Sequence, residues 1–341
     1  MERITLGNTV FEGKNNAYLF DGAQTVLVDT GVAVDDTRDQ LAAGLEAHGR
    51  SFSDLDAVVL THYHADHTGL AGEIQTASGA DVYAHEADAP LIAGDEDAWA
   101  AMEATQRELF EQWGMPAEAR EELLAFFAAG EEAGIYGADV DVTTFAAGDT
   151  LEFDGLELEV LHAPGHTAGL SCFVPRGPTA PGDGTAVLTG DALLPKYTPN
   201  VGGADVRVDR PLAAYVETLE TLAGRGFDRA WPGHRDPIDE PADRARFILE
   251  HHEERAYRVL SALSEDQPAD AWTVSARLFG DLEAIHILHG PGEAYAHLEH
   301  LLEAGDVERA EGGYRLAAGS ADRLESRDDG RWKLSTTGRS V

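Results

Sequence analysis

The chain has 341 residues, 43% of them hydrophobic, enough for a real core and for a large domain with a small one. Asp and Glu number 62 against 25 Lys and Arg, a formal net charge of −37 spread along the whole sequence. That balance is hostile to polyanions at low salt, no apolar run approaches the roughly 20 residues of a membrane span, and the single cysteine, Cys172, excludes an intramolecular disulfide. Self-repulsion on this scale needs screening, and a halophilic host with molar cytoplasmic salt is the economical expectation. The start, Met1-Glu2-Arg3-Ile4, lacks a basic-then-apolar leader, so a cytoplasmic location is expected.

In chain order, residues 4–6, 16–20 and 24–28 alternate as strands, with Asp21-Gly22 as a hairpin turn. After Asp29-Thr30-Gly31, residues 34–48 are patterned as a helix, and 56–60 as a buried strand. Residues 61–67 follow that strand directly and read Thr-His-Tyr-His-Ala-Asp-His. Burying four such side chains is costly unless a divalent metal compensates. Their spacing suggests two metals: His62 and His64 alternate about Tyr63 and can point one way, while Asp66 and His67 continue around the turn.

Residues 69–78 read as a helix and 81–84 as a strand. The segment 86–137 is a helical insertion with stretches at 99–113 and 116–129, broken at Gly114; both a lid role and plain scaffold packing stay open. Strands return at 150–160 around Asp154-Gly155, at 170–174 (holding Cys172 as a small core residue) and at 186–188. A helix at 210–223, a strand at 229–231 and a long helix at 241–263 follow. Helices at 274–282 and 292–302 and a glycine-turned hairpin over 306–316 then describe a winged-helix-like module, residues 241–318. Residues 319–341 are a polar tail, expected to fray.

Three further motifs place one ligand-type residue each in a glycine-framed turn after a strand: Pro164-Gly165-His166-Thr167, Thr189-Gly190-Asp191 and Pro232-Gly233-His234. With them the chain resembles the metallo-β-lactamase fold superfamily across nearly all of residues 1–240, Asp29 in its Val-Asp-Thr-Gly turn included. The resemblance implies an α/β fold, a four-layer αββα sandwich with the site at one edge of the paired sheets. It implies that His62, His64 and His166 hold one metal, that Asp66, His67 and His234 hold a second, and that Asp191 bridges them. Asp66 and Asp191 are then expected to serve catalysis as well as ligation, and Asp29 to orient the histidine loop from behind. All-His/Asp ligation suits two Zn²⁺ ions, with Fe or Mn admitted because no thiolate enforces zinc.

The C-terminal half resembles beta-lactamase-like proteins near glyoxalase II. This implies a hydrolase of small carbonyl substrates, thioesters first and lactones next. Lys196 and Tyr197 follow Asp191, but their spacing does not reproduce the glutathione-binding residues of true glyoxalase II. Two alternatives come from other classes: an endoribonuclease acting on single-stranded RNA, and a DNA-binding metabolite sensor. Arg207, Arg210, Arg244, Arg246, Arg255 and Arg258 lie among acids and form no phosphate-tracking stripe, and 292–302 carries no Lys or Arg. The expected partner is therefore a small-molecule substrate, with nucleic acid not favoured, no membrane, and a homodimer compatible with a winged helix. Among the other histidines, His85 and His162 flank metal motifs and are read as packing or surface residues, with a role behind the metal ligands as the alternative. His48, His251, His252, His286, His289, His297 and His300 are read as surface or interface residues.

Overall fold

In the computed structural model, which describes residues 1–7, 13–181 and 185–334, strand alternation divides each sheet between two cores. The first sheet runs β1 (Glu2–Thr5), β2 (Asn16–Asp21), β3 (Thr25–Val28), β4 (Ala57–Val59), β5 (Asp81–His85), β6 (Val142–Phe145), in that order. The pairs from β1 to β3 are antiparallel and those from β3 to β6 parallel. The second holds β7 (Thr150–Phe153), β8 (Leu156–His162), β9 (Ser171–Arg176), β10 (Ala186–Gly190) and β11 (Arg229–Pro232), in the order 11-10-9-8-7 with only β10 and β11 parallel.

Tyr18 and Phe20 of β2, Val26 and Val28 of β3, and Ala57 and Val59 of β4 meet Leu158, Val160, Phe173 and Leu188 of the second sheet. The intervening Ala17, Leu19, Leu27 and Val58 turn to the opposite face. There they pack on α1 (Asp35–Glu46), through Leu41 and Leu45, and on α3 (Ala71–Ser78), through Ala71 and Ile74, α2 (Ala65–Thr68) being the short turn between. The insertion supplies α4 (Ala89–Ile92), α5 (Glu96–Gln112) and α6 (Ala117–Glu132). Behind the second sheet, Cys172, Val174 and Val187 pack on α7 (Pro211–Gly224) and α8 (Pro241–Ser261). Four layers result, two sheets between two layers of helices, and full burial of each apolar side chain contributes about 1.5–3 kcal/mol.

The C-terminal part adds α9 (Ala271–Phe279), α10 (His286–Glu303), the hairpin β12 (Val307–Ala310) with β13 (Gly313–Leu316), and α11 (Ser320–Glu325). Phe110, Trp113, Met115 and Leu123 of the insertion share one core with Val259, Leu260, Val274 and Leu298. The insertion thus packs as scaffold against the C-terminal helices.

Some boundaries differ from the sequence expectations. β6 was unpredicted, because Val142-Thr143-Thr144-Phe145 buries only its last residue well and lacks clear alternation. α10 starts at His286, with Pro291 inside it, where the His-Gly-Pro-Gly run suggests a break. Gly292 is needed for close approach, since a Cβ there would stand 2.3 Å from Gly203 Cα. The tail is not frayed throughout: Trp332 is 5% exposed, its N–H bonds Glu253 O at 2.9 Å, and its indole bonds Asp306 at 2.8 Å. A large aromatic ring outweighed the polar composition around it. Residues 335–341 of the expected tail lie outside the described residues.

Candidate metal centre

Every sequence-predicted ligand sits just beyond the carboxyl end of a strand, and the fold brings all seven together. His62, His64, Asp66 and His67 follow β4, His166 lies between β8 and β9, Asp191 follows β10 and His234 follows β11. Three ligand groups form there: His62 with His64 and His166, His62 with His67 and Asp191, and Asp66 with His67 and His234. Within each group the donor atoms lie within 4.8 Å of one another. Asp191 Oδ2 stands 3.3 Å from His234 Nε2 and 3.8 Å from His166 Nε2, between the two outer groups.

The hydrogen bonds behind the imidazoles fix their tautomers. A carbonyl oxygen can only accept, so the ring nitrogen facing one carries the proton. His166 Nδ1 faces Asn200 O at 2.9 Å, His234 Nδ1 faces Gly13 O at 2.9 Å, and His64 Nε2 faces Ala204 O at 3.1 Å. Asp29, 1% exposed, accepts from Thr61 N at 2.8 Å, from Thr61 Oγ1 at 2.9 Å and from His67 Nδ1 at 2.8 Å. Thr61 Oγ1 has given its proton to Asp29 and so accepts from His62 Nδ1 at 3.0 Å. Asp29 holds this position with φ 58°, a left-handed conformation that Asp tolerates better than most residues.

All five rings therefore present a lone pair inward. His64 Nδ1 lies 3.0 Å from His62 Nε2 and 3.1 Å from His166 Nε2, with no proton left to place between them. His67 Nε2 and Asp191 Oδ1 are buried without a hydrogen-bond partner. Convergent lone pairs and orphaned donor atoms at this spacing fit divalent cations and little else. The electrostatics agree. Burial, reinforced by His67 and His64, holds His62 well below its usual range, and burial with His166 pushes His64 down to about 4. Burial opposes charge on His67, yet Asp191, Asp66 and Asp29 overrule it and lift that ring to about 10. Burial also opposes charge on Asp191, but His234 and His67 keep it well below the carboxylate range. The carboxylates call for positive charge at the centre.

Glycine shapes the floor. A Cβ at Gly233 would stand 2.6 Å from both Asp191 Oδ1 and His67 Cε1, so the loop carrying His234 can close only without one.

A profile of the Metallo-beta-lactamase superfamily matches residues 10–234. The chain belongs to that superfamily. A solved metallo-beta-lactamase family protein from Thermus thermophilus is 30% identical, with a TM-score of 0.76 over 93% of this chain and 97% of its own. Among curated relatives, the lactamase-like protein aptB of Emericella nidulans is 24% identical over 76% of this chain and 62% of its own length. The thioesterase pkgB of the same fungus is 25% identical over 75% of this chain and 56% of its own. The matched region thus spans less than two thirds of either fungal protein.

Several residues that hold this superfamily site escaped the sequence reading. Asp88, fully buried at the start of the insertion, accepts from Tyr63 N at 3.2 Å, Thr167 Oγ1 at 3.1 Å and Gly169 N at 3.0 Å. It thereby ties the His62–His64 loop to the His166 loop. Arg207 joins it at 2.7 Å and reaches Asp205, also at 2.7 Å, while Asp205 accepts from Ala168 N at 2.9 Å. Asn15 donates to Asp66 at 3.1 Å, and Asn16 and Tyr18 donate to Pro232 O at 3.0 and 2.6 Å. No sequence spacing marks these residues, because, Arg207 with Asp205 aside, their partners lie 25 to 216 positions away.

His85 and His162 stack on each other at 4.3 Å, as packing residues do. His252, His297 and His300, expected at the surface or an interface, are not at the surface, being 1%, 0% and 7% exposed. His297 Nδ1 donates to Glu293 O at 2.8 Å, and His252 Nδ1 meets His297 Nε2 at 3.3 Å. Helical periodicity turns these two residues of α8 and α10 toward each other, an arrangement that composition alone cannot signal. With Glu293 they bring three donor atoms within 4.8 Å, but Glu293 is already paired with Arg255 at 2.6 Å. That guanidinium supplies the positive charge a metal ion would otherwise bring.

Proposed function

We propose that this chain is a two-metal hydrolase of small carbonyl substrates, with thioesters as the favoured class and lactones next. The observation that carries the reading is the convergence of five imidazole lone pairs and two carboxylates on one buried point. In this reading His62, His64 and His166 hold one ion, Asp66, His67 and His234 the other, and Asp191 reaches both. Zn²⁺ suits the donors, with Fe or Mn admitted. Bound there, the ions supply Lewis acidity and a water deprotonated near neutral pH.

The chain's own residues do the rest. Asp29 keeps the proton of His67 on Nδ1 and so keeps Nε2 free to ligate. Asn15 orients the Asp66 carboxylate. Asp88 fixes the spacing of the two histidine loops, so that neither ring turns toward solvent. Hydrolysis of a thioester adds water oxygen to the carbonyl carbon, breaks the C–S bond and leaves a proton for the departing thiolate. Asp66 and Asp191, both at most 6% exposed, are the carboxylates placed to handle that proton.

The relative named a thioesterase favours this class, and so does the resemblance to the glyoxalase II branch. We also read α8, α9, α10 and the hairpin as winged-helix-like, with α8 covering the second sheet and the rest packing on the helical insertion. The arginines support a small-molecule substrate over nucleic acid. Arg207, Arg210, Arg246 and Arg255 pair with carboxylates, and Arg244 and Arg258 donate to backbone carbonyls. The acidic surface points to a halophilic cytoplasm.

The test is turnover of S-lactoyl thioesters, a lactone panel and a single-stranded RNA oligomer, in molar salt with zinc. Thioester hydrolysis lost in His62→Ala is expected. Cleavage of the RNA alone, lost in the same variant, would overturn the reading.

A further inference from the structure

Proline and glycine destabilise a helix interior, and α10 keeps three of them together, Gly290, Pro291 and Gly292. Pro291 has no N–H to give to Ile287 O, so this turn lacks one of its own hydrogen bonds. What the turn gains is close approach on two sides. A Cβ at Gly290 would stand 2.6 Å from Ser275 Oγ of α9. On the other side a Cβ at Gly292 would overlap Gly203 Cα, and one at Gly202 would stand 2.5 Å from Gly292 O. A Cβ at Gly203 would stand 2.7 Å from His289 Cα. Backbone thus lies on backbone where residues 200–204 cross α10.

Asn200 and Val201 fasten that crossing. The Asn200 side-chain amide donates to His289 O at 3.1 Å, and its Oδ1 accepts from Gly203 N at 3.1 Å. Val201, fully buried, shares a core with Ala296, one turn beyond Gly292.

The same loop carries the outer partners of two candidate ligands. Asn200 O accepts from His166 Nδ1 at 2.9 Å, and Ala204 O accepts from His64 Nε2 at 3.1 Å. The other set is held from elsewhere: Asp29, Gly13 and Asn15 hold His67, His234 and Asp66. One set therefore depends on a loop seated on α10. The other depends on residues 13–29, around β2 and β3.

We propose that α10 is a positioning element for one metal site only: through Asn200 and the glycine seat it fixes where His64 and His166 stand. Loosening the seat loosens the His62, His64 and His166 set and leaves the Asp66, His67 and His234 set intact. The proposal rests on the two-metal reading for what the histidines hold, and on the hydrogen bonds alone for how they are held. A small movement of the loop matters, because losing the outer partner of a ligand lowers metal affinity roughly 10–100-fold. The C-terminal helices thereby govern the centre without contributing one of its seven candidate ligands.

Two variants test this. Asn200→Ala removes both side-chain bonds and leaves the residue's own carbonyl in place, and Gly292→Ala pushes α10 off the loop. The first measurement needs no metal: in metal-free protein with isotope-labelled histidine, NMR follows the exchange of each ring N–H with solvent. The His64 and His166 protons should exchange roughly tenfold faster in either variant, the loss of about one neutral hydrogen bond, while those of His67 and His234 keep their wild-type rates. The second is calorimetric titration of Zn²⁺ against a competing chelator. One of two binding steps should weaken roughly 10–100-fold, and the other should stay as it is. Leu45→Ala, in the core behind the first sheet, is the control for a merely structural effect: it lowers the urea midpoint but should shift all four ring protons alike. Four rings quickened alike in Asn200→Ala, none quickened, or both zinc steps weakened equally would overturn the proposal. Fewer than two zinc steps in the wild type would remove the two-metal reading, and ring exchange would still decide the role of α10. Asn200→Ala carries the test by itself if Gly292→Ala does not fold.

Discussion

Two of the buried groups of histidines in this molecule are built on opposite principles. In the centre at the strand ends, each imidazole gives its proton outward, to Asp29, Thr61, Ala204, Asn200 or Gly13, and turns a lone pair inward. In the pair between α8 and α10, the proton of His297 goes to its own helix, and its lone pair is answered by His252. One arrangement collects lone pairs at a point and the other passes them along a line. Histidine count and burial do not separate the two. The direction of each N–H does.

The first way to break this contrast is to loosen what holds the strand-end rings in place. Asp88→Ala removes the carboxylate shared by both histidine loops and leaves Arg207 with Asp205 alone. We expect a loss of about 3 kcal/mol in stability, the scale of breaking a buried ion pair. The measurement is the urea midpoint at constant slope, and an unchanged midpoint would mean that the loops hold themselves.

A sharper perturbation leaves the fold in place. Asp29→Asn tolerates the same left-handed backbone but weakens the grip on Thr61 and His67. Metal affinity and kcat should both fall, by roughly 10–100-fold. If kcat holds while the urea midpoint drops, Asp29 is structural only.

The helix pair should respond to acid. Burial depresses the His297 ring to about 3, below the unfolded value of about 6.5. Burial with His297 depresses His252 in the same direction. The folded state therefore takes up their protons less readily than the unfolded chain. Stability from these groups is complete above about pH 6.5 and is lost as the pH falls toward 3, at up to about 1.4 kcal/mol per pH unit for each proton. His297→Gln should flatten that slope in thermal melts. An equally steep slope in the variant would assign the acid sensitivity elsewhere.

How far the sequence carried this picture depends on where each partner lies in the chain. The seven candidate ligands were legible because each is a metal-type residue in a glycine turn after an apolar strand, or in the histidine cluster that ends one, a local signal. The strands β2, β3 and β4 were equally local signals, read at 16–20, 24–28 and 56–60. Asp88, Asn15 and Tyr18 were not legible, since what makes them matter is a partner reached only after folding. The same holds for His252 and His297, whose helices gave no hint that their faces meet. At α10, the proline and glycines that suggest a break are buried in the helix, Gly292 giving room for residues 202–203 to pack.

The central claim is that lone pairs converge on two ions at the strand ends and on none between the helices. Metal content per chain tests it most directly, measured by elemental analysis after saturation and desalting. Two divalent ions are expected in the wild type, two in His297→Gln, and fewer in Asp191→Asn. Fewer than two ions in the saturated wild type, or an ion lost on changing His297, would contradict it.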